Sequence, residues 1–240
     1  MTAEFARARS DEQRAVRRDA ILATAAEVLG DGTRVAELSL NELARRVGLA
    51  KSNVLRYFET REAVLLALLD EEYGAWLDEV ESELRATDAG ASVAARVERV
   101  ADVISRTVAA RPMLAELVAN SAVVLEHNVS ADIAADYKRR AYAQALRLIA
   151  LVEAQVGELP DASRIALAAS VNLAIGGAWA MCRPSPGMAE AYERYPELAA
   201  MRLDYRLAVR ELVATSLAGL LARSVASWQP TPTSTTRSRP

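Results

Sequence analysis

The stretch Leu38-Ser39-Leu40-Asn41-Glu42-Leu43-Ala44-Arg45-Arg46-Val47-Gly48-Leu49-Ala50-Lys51-Ser52-Asn53-Val54-Leu55-Arg56-Tyr57-Phe58 decides how the rest of the chain is read. Ser39 stands three residues before Glu42, the spacing of a capping box, in which side-chain oxygens take up free backbone N–H groups at a helix start. Leu38 before the cap and Leu43 at the fourth helical position can close a hydrophobic staple over the same end. Gly48 follows the last periodic apolar residue, where a left-handed stop is needed and glycine adopts it without a Cβ clash. Ala44 is small where a second helix must cross the first closely. Another helix begins within a few residues, so the stretch reads as helix, glycine turn, helix, with helices near 40–47 and 51–57.

The second of these helices has the composition of a surface that touches DNA. Leu49, Val54 and Phe58 can face a core, leaving Lys51, Ser52, Asn53, Arg56 and Tyr57 outward. Lys and Arg suit phosphate or guanine, Asn suits adenine, and Ser and Tyr suit phosphate oxygens. A polar helix face would offer a similar set, so the short helix, the turn and the cap carry the reading together. The rest of the charge pattern agrees. The chain is acidic overall, at −3, but residues 1–61 hold eleven Lys+Arg against nine Asp+Glu and everything after them is acidic. A mildly basic head on an acidic body points to one end meeting an anion. Arg7, Arg9, Arg14, Arg17 and Arg18 can add phosphate or minor-groove contacts, or form a solvated helix face.

Outward from the motif the pattern is helical throughout. The chain has 240 residues, 52% hydrophobic and 25% charged, with 10 Gly and 8 Pro, a composition that excludes collagen-like and disordered classes and favours long helices. A first helix is expected from about Asp11 to Gly30, with Ile21, Ala25, Val28 and Leu29 on one face. A long one starts at Thr60, and further helices are expected at about 91–110, 112–127, 130–156, 161–182 and 196–226. Pro112, Ser130, Pro160-Asp161 and Pro196 mark their starts. The expected organisation is all-α: a flexible arm at 1–10, a three-helix DNA-binding head at 11–74 with its motif at 39–58, a helical body at 75–226 and a disordered tail at 227–240.

The motif resembles that of the tetracycline-repressor (TetR) family of bacterial transcription regulators. The family's run of Leu-Ala, a Val/Ala-Gly turn and a closing aromatic pair is met by Leu43-Ala44-Arg45-Arg46-Val47-Gly48-Leu49-Ala50, then Val54-Leu55-Arg56-Tyr57-Phe58, then Arg61 and Val64-Leu65. Two positions depart from it: Leu55 stands where the family has Tyr, and Arg61 stands where it has Lys. The resemblance implies operator contacts by Ser39, Asn41, Lys51, Ser52, Asn53, Arg56, Tyr57 and Arg61, aided by the amide end of the helix that starts near Thr60. It further implies double-stranded operator DNA and a small-molecule effector as partners, with homodimerisation through the last two long helices. Ala169, Gly176, Gly177, Leu212, Val213 and Leu217 are the candidate seam. Met113, His127, Tyr137, Tyr142, Asn172 and Trp179 are candidates for the effector pocket. The function expected is a regulator, most often a repressor in this family, released from its operator by ligand binding.

Other functions leave marks that are not found. His127 is the single histidine and has no nucleophile motif beside it; with Cys182 as the single cysteine, intrachain disulfides and zinc sites built on paired cysteines are excluded. No catalysis, metal or cofactor is expected. The uncharged run Ile165–Cys182 is 18 residues long, short of a span, and contains Ser170, Asn172, Gly176 and Gly177, so it reads as a buried helix rather than a membrane anchor. A cytoplasmic location without membrane attachment is expected. The competing reading is an all-α ligand-binding protein or enzyme that never meets DNA.

Overall fold

The computed structural model describes residues 2–85 and 90–225, and among these every regular element is helical. The head is built from α1 (Thr2–Gly30), α2 (Leu40–Val47) and α3 (Lys51–Val54). The helix α4 (Arg61–Leu84) leaves the head and runs unbroken into the body, across the boundary expected at residue 74. The body continues with α5 (Val93–Ala109), α6 (Pro112–Asn120), a π-helical turn at Ser121–Leu125, α7 (Ala131–Val156), α8 (Asp161–Met181), α9 (Pro186–Arg194), a 3-10 turn at Pro196–Met201 and α10 (Tyr205–Val225). One apolar core joins Ile21 and Phe58 of the head to Leu217 and Leu220 of the last helix. Within it the indole N–H of Trp76 donates to Thr107 Oγ1 at 2.9 Å, which gives a fully buried polar atom its partner.

Several boundaries differ from the sequence reading for local reasons. The first helix begins at Thr2, so residues 2–10 continue α1 instead of forming a separate arm. The second motif helix is a single turn, and Leu55–Tyr57 follow it as a hydrogen-bonded turn rather than as three more helical residues. The helix expected over 112–127 stops at Asn120 and widens into the π turn. The helix expected over 196–226 starts only at Tyr205. Pro196 opens a 3-10 turn instead, and α9, which the Pro184-Ser185-Pro186 break concealed, precedes it with Ser185 as its cap. The tail expected at 227–240 lies outside the described residues. The uncharged run forms α8, which is long and apolar enough by composition to cross a membrane; its inner face packs against α6, α7 and α10.

A DNA-facing head and a body cavity

In the head, the short-range signals of the motif close into definite geometry. Ser39 Oγ accepts from the Glu42 N–H at 3.1 Å, while Leu38 and Leu43 are both fully buried. Glu42 does not reach back to the cap as a capping box would have it. Its carboxylate is held by Arg45 at 2.7 Å and by Arg46 at 2.9 Å, and these hydrogen bonds lower its pKa to about 2. Gly48 has φ +73°. Its N–H donates to the Arg45 carbonyl and the Leu49 N–H to the Ala44 carbonyl, the paired bonds of a Schellman stop. Val54 and Phe58 plug this corner into the core, and the Arg18 guanidinium lies 4.4 Å over the Phe58 ring.

That packing leaves one side of the motif bare. Ser39, Asn41, Lys51, Ser52, Asn53 and Arg56 are exposed, and Leu55, 42% exposed, lies among them. Tyr57 is half-buried and lines a groove with Arg14, Arg17 and Arg56, so three guanidinium groups gather at the edge of the exposed face. Arg61 is turned elsewhere. Its guanidinium donates to the carbonyls of Leu38 (3.0 Å) and Ala36 (3.3 Å) and pairs with the buried Glu62 carboxylate at 2.9 Å. The expected phosphate ligand is therefore a clamp tying the approach to α2 onto the start of α4. The amide end of α4 is partly taken as well, since Thr60 Oγ1 accepts from the Ala63 N–H and the acidic Glu62 sits in its first turn.

In the body, α4, α6, the π turn, α7 and α8 line a cavity of about 480 Å³ that opens to the surface past Val123 and Leu173, within the size range of small-molecule sites. Its apolar wall includes Leu69, Val118, Ala141 and Leu173. The polar groups on it are Asp70, Tyr73, Ser121, Glu126, Tyr137, Lys138, Gln144 and Asn172. Asn172 Nδ2 donates to the Tyr73 hydroxyl at 3.3 Å, and Gln144 Nε2 donates to Asp70 Oδ1 at 2.8 Å. Burial pushes both phenols up, Tyr137 to about 12. A Cβ on Gly176 would lie 3.2 Å from the Ala119 Cα, so this glycine permits the close approach of α8 to α6 beside the cavity.

Of the six pocket candidates, Tyr137 and Asn172 line this cavity. Met113 and Trp179 line a separate groove between head and body, where Glu116 accepts from the Trp179 indole at 2.7 Å and from the Val35 N–H at 3.4 Å. His127 and Tyr142 are exposed and line neither. The seam candidates also divide. Gly176, Val213 and Leu217 are buried in the chain's own core, so they are not available to a second copy. Ala169, Gly177 and Leu212 are exposed. Together with Ile165, Leu173 and Met181, Ala169 and Gly177 form a ridge at every fourth residue along α8, and Leu207 and Leu212 stand out on the adjoining α10. Asp70, Tyr73, Glu126 and Gln144 were missed. Only Tyr73 carried a signal, since it falls on the inner stripe of α4 between Leu69 and Trp76.

Residues 70–224 match a family model described as the tetracyclin repressor-like C-terminal domain. No curated protein matches the sequence. Among solved structures, the chain is similar to the fatty acid degradation regulator FadR from Bacillus halodurans, with TM-score 0.53 and 18% identity over 84% of this chain and 98% of that one. It is also similar to a transcriptional regulator of the TetR/AcrR family from Thermobifida fusca, with TM-score 0.48 and 19% identity over 85% and 97% of the two chains. A TetR transcriptional regulator from Rhodococcus sp. RHA1 gives TM-score 0.49 and 18% identity over 84% and 96%. The first of these likenesses extends over head and body together, and it concerns the fold.

Proposed function

The chain belongs to the tetracycline-repressor-like family of DNA-binding transcriptional regulators, and we propose that it works as a homodimeric repressor whose grip on its operator is loosened by a small molecule in the body cavity. The observation that carries this reading is the bare face of the motif: polar and cationic side chains at Asn41, Lys51, Ser52, Asn53 and Arg56, all exposed on a scaffold pinned from behind by Val54 and Phe58. Such a face is the kind that enters a major groove, with Asn53 and Arg56 at base edges and Lys51, Ser52 and Tyr57 on phosphates. One short recognition turn reads few base pairs. Specificity then requires two heads at fixed spacing, about 34 Å or a multiple of it apart.

The apolar ridge of α8 and the neighbouring face of α10 supply the seam for that pairing. A twofold axis along it sets each ridge against its own copy. Effector binding acts by population shift: a ligand that fits only one arrangement of α4, α6, α7 and α8 favours that arrangement and the head spacing that goes with it. The protein operates in the cytoplasm, where its operator is. The testing experiment is retardation of the DNA flanking its own gene, with and without small-molecule extracts of the host cell. Retardation that the extract relieves is expected. A protein that retards no duplex DNA at any salt concentration would leave the competing reading, a ligand-binding protein without DNA, in possession.

A further inference from the structure

The cavity walls are electrically lopsided. Asp70 and Glu126 both line the cavity, and each is paired, Asp70 with Arg140 at 2.8 Å and Glu126 with Lys138 at 2.8 Å. In both pairs the anion is the inner member. The Asp70 side chain is 20% exposed against 46% for Arg140, and Glu126 is 27% exposed against 61% for Lys138. Arg140 is not on the cavity wall at all; it lines the next cleft, on the side of the head. The cavity therefore sees two carboxylates and one cation, while much of the compensating charge is spread into solvent. Burial raises the pKa of Asp70 despite the arginine beside it, as expected for an anion whose partner does not fully offset its lost hydration.

Resting on the reading that this cavity is the effector site, we infer that it takes an amphipathic organic cation, whose charge pairs with Asp70 in place of Arg140 while Glu126, still held by Lys138, adds to the negative field of the same wall. The exchange is undemanding because Arg140, about half exposed, returns to water when it is released. An anionic ligand would instead set its charge near two half-buried carboxylates whose cations are already taken, and so would gain no pairing of its own. The Tyr137 ring lines the same cavity and already has the Lys138 ammonium 5.5 Å from its centroid. The apolar body of the ligand would lie along Leu69, Val118 and Ala141. Exchange at Asp70 has a consequence on the far side of the wall. Arg140 and Tyr137 also border the cleft behind Leu55–Glu59, so a freed Arg140 changes the charge directly beneath the recognition segment.

The test is calorimetric titration of the full chain with decyltrimethylammonium and decanoate below their micellar concentrations and decanol below its solubility limit, three probes that share one alkyl chain and differ in charge. The ammonium is expected to bind about tenfold or more tighter than the carboxylate, with the alcohol between them. Asp70→Asn, which keeps the shape and the Gln144 hydrogen bond, and independently Glu126→Gln, should erase most of that preference. Melting curves identify any variant that fails to fold, and the other then carries the test. Equal binding of the three probes, tighter binding of decanoate, no binding at all, or a preference that survives both substitutions would overturn the inference. DNA retardation is read separately: ammonium binding that leaves retardation unchanged supports the ligand class and rejects the cavity's role as effector site.

Discussion

The head and the body solve opposite problems with the same secondary structure. The head spends its side chains on fixing a corner: a serine cap, a buried leucine staple, a left-handed glycine, and Glu42 pinned between two arginines, all within ten residues of one another. Its outer surface stays polar and open. The body is held by long helices whose decisive contacts join residues far apart in the chain, such as Gln144 with Asp70 and Asn172 with Tyr73. It leaves an open cavity between its helices and an apolar ridge on α8 that meets the cavity mouth at Leu173 and Gly177. The difference is one of range: the head's corner is fixed by bonds between near neighbours in the sequence, while the body is held by contacts between distant helices that leave a cavity and a π turn among them.

If that contrast is right, damage to the body's seam should abolish operator binding without touching the motif. Gly177→Asp or Leu212→Glu places a charge on the exposed ridge, where pairing would bury it uncompensated at a cost of about 3–5 kcal/mol. Light scattering should show a dimer of the 25.9 kDa chain converted to monomer or aggregate, with specific retardation lost. A dimer that survives both substitutions would move the seam elsewhere.

Arg61 sharpens the contrast from the head's side. Its fork is filled by the carbonyls of Ala36 and Leu38 and by Glu62, so Arg61→Met should cost about 2–3 kcal/mol, the penalty for orphaning a buried carboxylate and two acceptors. Hydrogen exchange should speed up for amides of α2 and the loop before it and stay unchanged in α8 and α10. The salt dependence of DNA binding should keep its slope. A slope flattened by about one unit would return Arg61 to the phosphates.

Acid should loosen the head through Glu42. Its folded pKa of about 2 lies below the ordinary 4.5, so the stability it contributes is complete above about pH 5 and is lost as the pH falls toward 2. Amide exchange in α2 should rise over that window, and Glu42→Gln should remove the pH dependence. An unchanged profile in the variant would assign the acid sensitivity to another carboxylate.

The smallest effect belongs to Leu55. The position is exposed beside Asn53 and Arg56, so Leu55→Tyr should tighten operator binding by about 0.5–1.5 kcal/mol through a phosphate hydrogen bond, without altering sequence preference. A changed preference would put residue 55 against a base.

The same contrast explains what the sequence disclosed. The cap, the glycine stop and the exposed set around Asn53 depend on spacings of three to ten residues, and each was readable as such. The intrachain bonds of Arg61 were not legible, because its partners, the backbone carbonyls of Ala36 and Leu38, carry no side-chain signature. The seam was drawn through Val213 and Leu217 because apolar residues at helical spacing do not say which face meets the chain's own core. Leu212, beside Val213, points outward. Nothing local marked Asp70 or Glu126, because the contacts that bring Arg140 and Lys138 against them come from α7, 12 or more residues away in the chain. Helix starts slipped where proline was taken as the opening of an α-helix and instead opened a 3-10 turn at Pro196.

The most direct test of the account is fluorescence anisotropy of the duplex flanking the protein's own gene against a scrambled duplex of equal length, across a salt series, for the parent chain and for Asn53→Ala and Arg56→Ala. Both side chains are exposed and their loss leaves the core intact. The parent should prefer its own duplex at every salt concentration. Each variant should lose about 1–3 kcal/mol on that duplex and much less on the scrambled one, so that specificity falls while the dimer and its melting temperature stay as they were. Variants that bind and discriminate as the parent does would contradict the assignment of DNA reading to this face.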